Sequence, residues 1–356
     1  MLIFQINIFH HILYALQKER KVESNNMPKV SVIMSVYNTK KEYLCKAIES
    51  ILNQTFKDFE FIIVNDASTD ETSKILEIYK DKRIIRVDND SNLGLTVSLN
   101  KALKIANGEY IVRMDADDIS HIDRIKMQYE YMEKNKSIVV LGTYAKQLGT
   151  ERILMPIKCM DHEHRRVKMI FRNSGVIHPT AMIRKSFLEK YNLCYDENIK
   201  KGQDYALWAE VVKYGKIANI ETPLLEYRVH KEQISIKCKE EQDRYAYQVK
   251  VKQIRAAKMP LTKEEIKQFL AIEEKEKSNF KQLLEIINKV IKWNKKVTYY
   301  DQRYLEKELL TLWIVKVLRR IKCSRDFSGF LYLYTYTIFR PDRLKYFIFS
   351  LKNHEI

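Results

Sequence analysis

The sequence predicts an α/β fold: a mostly parallel sheet with flanking helices, followed by a helical C-terminal region. Three observations carry this. Between residues 30 and 142, apolar runs alternate one by one with helix-period segments. The runs are apolar throughout, as strands covered on both faces are, and do not alternate polar with apolar. Beyond residue 240 charged helical periodicity takes over.

In chain order, the strands expected are VSVIMSV (30–36), FEFIIV (59–64), IIRV (84–87), YIVRM (110–114) and SIVVLG (137–142). Helices are expected near 41–53, 70–80, 95–107 and 121–135, with Gly108 punctuating the third. Single helices between apolar strands place those strands parallel. From 150 to 230 the pattern mixes: GVIHPTAMIR at 175–184, a helix over 204–215, then short strands IANIE and LLEYRV. Thr262, with Glu265 three residues on, reads as a capping box, and two further helices are expected over 279–296 and 302–322.

The 356 residues, 46% hydrophobic, suffice for one large core with appendages or for two domains. No apolar stretch reaches the roughly 20 residues of a membrane-spanning helix. Cysteines 45, 159, 194, 238 and 323 lack CxxC spacing and read as reduced thiols. The net charge of +17 is uneven, since residues 241–356 carry 25 Lys/Arg against 14 Asp/Glu. A basic tail points to an anionic partner, a membrane surface or nucleic acid, with solvated lysine-rich helices as the plain alternative. No nucleic-acid-binding module is recognisable, so a basic nucleic-acid-binding or other non-catalytic protein rests on charge alone.

Residues 1–27 read as an N-terminal extension that a misassigned start explains, an interfacial helix being second. Residues 28–236 are then expected to form the α/β domain and 237–356 a basic helical region. The tail segments 305–322 and 327–352 mix aromatics with Arg and Lys, which suits contact with a membrane surface without crossing it. A helical subdomain packed on the core, or a homodimer contact, is the competing reading.

Parallel sheets bind ligands beyond the carboxyl ends of their strands. Those ends carry SVYN, NDAST, NDSNLG and DADD in turn. In extended backbone, residues two apart face one side, so Asp115 and Asp117 aim together. Crowded carboxylates need a positive partner. Hard oxygens suit Mn²⁺ or Mg²⁺, whose remaining positions a nucleotide diphosphate can fill. Neither GxGxxG nor GxxxxGK[ST] follows a strand, so no dinucleotide fold or P-loop is supported.

The series PKVSVIMSVYN, QTFKDFEFIIVNDASTDET, NLGLTVSLNKALKIANGEYIVRMDADD, HPTAMIRKS and QDYALWAEVVKYG…YRVH resembles the family 2 glycosyltransferases over about residues 28–236. The resemblance implies a GT-A, Rossmann-like fold and an inverting enzyme of bacterial cell-surface polysaccharide assembly, capsule included. It assigns Ser35 and Tyr37 to the nucleobase, Asp66 to the uracil imide N–H, Asp115 and Asp117 to the DxD motif, and Asp117 to direct metal ligation. Asn92, Asn100 and Arg113 fall on the donor side, Arg113 serving equally well as a brace for the aspartates. Asp204 matches the general base; Gln203 stands where the family usually has Glu, and a simple N-cap aspartate is the alternative. His178, Trp208, Tyr227, Arg228 and His230 match acceptor or diphosphate positions, with core packing as the alternative for His178 and Trp208.

The reaction implied by the resemblance is transfer of a hexosyl or N-acetylhexosaminyl group from a UDP-sugar to a saccharide or lipid-linked acceptor. It would occur at the cytoplasmic face of the cell membrane, with the metal as cofactor. Two other enzyme classes fit less well. HAD phosphatases carry their DxD on the first strand, with Thr or Val where Ile119 stands, and a sugar-nucleotide-processing pyrophosphorylase wants a glycine-rich loop in place of SVYNTKKE.

Overall fold

A computed structural model of the chain describes residues 27–154, 161–229, 238–273 and 279–324. The expected extension before Met27, His230 and the stretch 327–352 lie outside the described residues. The chain forms two compact units, the first comprising, among the described residues, 27–154, 176–197 and 219–229, and the second the remainder.

The first unit opens with β1 (Val30–Val36), α1 (Lys41–Leu52), β2 (Phe59–Asn65), α2 (Thr72–Ile78), β3 (Ile84–Asp88), α3 (Leu95–Ile105) and β4 (Tyr110–Arg113). Every residue of β2 is buried, as an all-apolar strand covered on both faces requires. Helix α1 turns Leu44, Ala47, Ile48 and Ile51 inward, the i, i+3, i+4, i+7 stripe of a helix lying on a sheet. β1 pairs in parallel with β2 on one side and with β4 on the other, and β2 pairs with β3. The spatial order therefore reverses at β1, where an open α/β sheet leaves a crevice at its carboxyl edge.

The chain continues through β5 (Ile119–Ser120), α4 (Arg124–Lys134), β6 (Ile138–Gln147) and β7 (Ile153–Leu154). It passes α5 (His162–Lys168) of the second unit and returns as β8 (Met182–Arg184) and α6 (Lys185–Lys190). A second excursion adds α7 (Gln203–Val211), and β9 (Lys216–Tyr227) leads back. The sheet among the described residues runs β3-β2-β1-β4-β8-β6-β9-β5, with β7 beside β6. Its far half is antiparallel: β8 opposes both β4 and β6, so the run at 137–142 does not simply extend the parallel set. The two short strands expected over 217–229 are one, because proline's fixed φ at Pro223 is compatible with extended backbone.

The second unit is helical, with α8 (Lys239–Ala256), α9 (Lys263–Leu270), α10 (Phe280–Val297) and α11 (Gln302–Ser324) joining α5 and α7. The capping box of α9 is present: Thr262 Oγ1 accepts the Glu265 N–H at 3.2 Å and Glu265 Oε2 accepts the Thr262 N–H at 2.7 Å. α11 corrects the expectation for 305–322. Leu305, Leu309, Leu310, Trp313, Ile314 and Val317 are buried in this unit's core, and Trp313 Nε1 donates to the Phe280 carbonyl at 3.1 Å. Its apolar and aromatic residues are therefore packing residues, unavailable to a membrane. No helix among the described residues is long and apolar enough to cross one.

Candidate active site

The crevice at the β1 reversal is built from loops that hold each other. Ser35 is half-buried near the end of β1, and Tyr37, one residue past it, is 48% exposed. Asn38 sits in the left-handed region, φ 47°, and stitches this loop to the one after β2. Its Oδ1 accepts the Thr69 N–H at 2.8 Å, and its own N–H donates to Ser68 Oγ at 3.1 Å. A fixed backbone beneath an exposed ring makes Tyr37 a ready stacking platform.

Asp66 follows β2 and is 2% exposed. Oδ1 accepts from Asn89 Nδ2 at 2.7 Å and from the Leu93 N–H at 2.8 Å; Oδ2 accepts from the Gly94 N–H at 2.8 Å. Gly94, φ 87°, supplies the left-handed turn that brings two successive N–H groups onto one carboxylate ahead of α3. Asp66 thus shapes the 89–94 loop, a role its sequence context does not signal, and Asn92 is exposed on that loop. Asn100 departs from the expected donor-side role. It is buried, and its amide exchanges bonds with the Tyr195 backbone, Nδ2 to O at 2.9 Å and Oδ1 from N at 3.0 Å. Its side chain is a brace.

The acidic loop corrects the expectation of extended backbone: Ala116 and Asp117 form a turn between β4 and β5, so the i, i+2 rule of a strand does not set the directions of Asp115 and Asp117. Asp115 and Asp117 are partly exposed, while Ala116 and Asp118 are buried, Asp118 being 1% exposed. Arg113 is buried and donates to the Met114 carbonyl and Asp115 Oδ1, the contacts that a brace for the aspartates would make. Arg124, fully buried, donates to Ser120 Oγ at 2.8 Å and to the Arg113 carbonyl at 3.2 Å. Burial pushes its guanidinium down to about 10, with Asp118 opposing the shift. Asp118 is held well above the usual carboxylate range by burial and by the charges of Asp115 and Asp117. Its Oδ1 accepts the Arg228 N–H at 2.8 Å, while Oδ2 has no hydrogen-bond partner among the described residues.

The donor set fits a hard divalent cation held jointly with a phosphate. Among the described residues no group of three or more His, Cys, Asp and Glu could hold a metal alone. Asp115 and Asp117 are two partly exposed carboxylates whose oxygens could serve as hard ligands. The remaining positions of Mn²⁺ or Mg²⁺ suit water and diphosphate oxygens.

The other predicted residues divide between the units. His178 in the first is half-buried, with Nε2 2.8 Å from Tyr195 Oη; burial, aided by Arg113, holds its imidazole well below the usual range and so neutral. Arg228, also in the first, donates from Nε to the Asp117 carbonyl at 2.7 Å. Asp204 lies in the second unit, inside the first turn of α7; the cap is Gly202, so Asp204 is not the N-cap. Asn173 Nδ2 donates to Asp204 Oδ2 at 2.8 Å, and a helix N-terminus is a favourable seat for a carboxylate. Trp208 is fully buried, the core position of its two alternatives. Sequence reasoning missed Asn89, Asn173 and the inward role of Asp118.

The model for glycosyl transferase family 2 matches residues 31–191. An uncharacterised glycosyltransferase of Methanocaldococcus jannaschii is 40% identical over 208 residues, 57% of this chain and 71% of that protein. The Escherichia coli UDP-Glc:alpha-D-GlcNAc-diphosphoundecaprenol beta-1,3-glucosyltransferase WfaP is 30% identical over 210 residues, 59% of this chain and 80% of its own length. Among solved structures, S. aureus TarS 1-349 in complex with UDP-GlcNAc superposes with a TM-score of 0.57 at 20% identity, over 83% of this chain and 88% of that one. The fold is thus of the GT-A kind, and the relatives are glycosyltransferases. The chain belongs to glycosyl transferase family 2.

Asp118→Asn keeps the acceptor for Arg228 N–H and removes the innermost of three crowded carboxylates. In metal-free buffer at pH 7 it is expected to raise the melting midpoint by roughly 2–4 °C, worth about 1 kcal/mol. The folded-state value lies above the 3.8 of the ordinary carboxyl, so wild type loses stability as pH rises through it and the gap closes toward pH 4. A lower midpoint for the variant at pH 7 would show that the buried charge is favourable.

Proposed function

We propose that the protein transfers a hexosyl or N-acetylhexosaminyl group from a UDP-sugar to a saccharide carried on a lipid diphosphate, inverting the anomeric centre, in cell-surface polysaccharide assembly. The observation that carries this is the acidic β4 end, with Asp115 and Asp117 presented outward, beside the Tyr37 and Asp66 loops. The UDP-glucose donor and diphosphoundecaprenol-linked acceptor in the name of the E. coli relative support the choice of donor and acceptor class.

In this reading Tyr37 stacks on uracil and Asp66 accepts its imide N–H, as an acceptor-only group reads a donor. Asp117 and Asp115 would hold Mn²⁺ or Mg²⁺, which would neutralise charge growing on the departing diphosphate. Asp204 takes the proton from the acceptor hydroxyl as that oxygen attacks the anomeric carbon opposite the diphosphate, with Asn173 fixing its carboxylate. One displacement inverts the configuration.

A lipid-linked acceptor places the work at the inner face of a membrane. With α11 packed in the core, the surface assigned to anionic lipid is the outer face of α10, where Lys281, Lys292 and Lys296 are exposed; Lys289 and Lys295, also exposed, pair with Glu265 at 2.8 Å and Glu306 at 3.3 Å. Each surface cation adds about 1 kcal/mol on such a surface.

Asp204→Asn preserves shape and removes the basic oxygen. Turnover with a UDP-sugar and a lipid-linked acceptor is expected to fall by roughly 10²–10⁴-fold, with donor affinity by calorimetry within a few-fold of wild type. NMR of the wild-type product is expected to show inversion; retention, or a variant of normal turnover, contradicts the assignment. A panel of nucleotide-sugars read by mass spectrometry identifies the sugar, and no transfer from any UDP-sugar would refute the donor class. In flotation with anionic liposomes at low salt, wild type should float and the Lys281/Lys292/Lys296→Gln triple variant should float less. Equal flotation removes α10 from the account.

A further inference from the structure

Arg228 entered through resemblance as a residue of the acceptor or diphosphate region. Its surroundings point to different work. Nε donates to the Asp117 carbonyl at 2.7 Å, and the guanidinium lies over the Tyr43 ring with Cζ 3.9 Å from the centroid. Its backbone N–H is held by the buried carboxylate of Asp118 at 2.8 Å. One residue at the end of β9 is therefore tied to two consecutive residues of the acidic loop, 110 and 111 positions away in the chain, and rests on a half-buried ring of α1.

The peptide unit is planar, so holding the Asp117 carbonyl, with Asp118 Oδ1 bound to the same arginine, restrains the Asp117–Asp118 peptide plane and with it the Asp117 Cα from which the side chain departs. Without such an anchor, a partly exposed loop residue between two other carboxylates would be turned by repulsion. A guanidinium suits this role because it is always charged, planar and able to stack while donating along its edge.

We propose that Arg228 is a positioning residue for the metal-binding aspartate, acting through the Asp117 carbonyl with Tyr43 as its platform, and is not itself a ligand of the diphosphate. This rests on the reading of Asp115 and Asp117 as metal ligands. Outer partners that orient a ligand typically contribute 10–100-fold in metal affinity.

The test separates metal from nucleotide. Mn²⁺ binding to the full chain with saturating UDP is followed by the electron paramagnetic resonance of free Mn²⁺, and UDP binding in EDTA by calorimetry. Arg228→Ala is expected to weaken Mn²⁺ binding by about 10–100-fold and to leave UDP affinity in EDTA within two-fold. Tyr43→Leu is expected to weaken Mn²⁺ binding in the same direction by a smaller factor, and it carries the test alone if Arg228→Ala does not fold by circular dichroism. Unchanged Mn²⁺ affinity in the folded variants overturns the proposal. So does a fall in UDP affinity in EDTA as large as the fall for Mn²⁺, which would make Arg228 a phosphate ligand. If wild type itself binds no Mn²⁺, the metal reading fails first and the proposal falls with it.

Discussion

Asp115, Asp117 and Asp118 stand at the end of one strand, and the structure depends on how that charge is tolerated. Two buried guanidinium groups lie behind them: Arg113 is paired with Asp115, while Arg124 ties the Arg113 carbonyl to Ser120. Asp118 turns inward and takes a backbone N–H, and burial beside two other carboxylates disfavours its charged form. Asp115 and Asp117 remain partly exposed at the end of β4, where the proposed cation would bind.

Much of this was legible in the sequence because it is local. All-apolar strands separated by single helices need both faces covered, and that fixed the parallel half of the sheet. The box at Thr262–Glu265 is short-range geometry, while the turn at Ala116–Asp117 replaced the extended backbone expected for the acidic loop. What escaped is long-range or very short. β8 has three residues, too few for a periodic signal, yet it inserts between β4 and β6 and turns the rest of the sheet antiparallel. Asn100 looked like a lining residue, but its partner Tyr195 is 95 positions away. α11 read as an interfacial helix because aromatic and basic residues serve a buried helix equally well; Lys316, 7% exposed, reaches the Ala271 carbonyl at 2.7 Å.

The two units contribute different chemistry. The first collects the groups suited to a nucleotide diphosphate: an exposed aromatic ring, a carboxylate fixed by backbone N–H groups, and the acidic pair. The second carries Asp204 in the first turn of α7 with Asn173 on its carboxylate. Asp66 illustrates how binding and folding share residues. The N–H groups it collects from Leu93 and Gly94 build the loop, so its replacement would disturb the pocket wall together with any contact to the base. Asp117 is partly exposed and turns outward, which makes it the cleaner probe of the site.

The central claim, that the outward carboxylates work through a divalent cation, is tested most directly by sugar transfer in a chelator. Wild type in EDTA is expected to lose transfer by roughly 100-fold or more and to regain it when Mn²⁺ or Mg²⁺ is restored in excess. Asp117→Ala should remain inactive under both conditions. Full wild-type activity in EDTA, or normal activity of Asp117→Ala, would contradict the account.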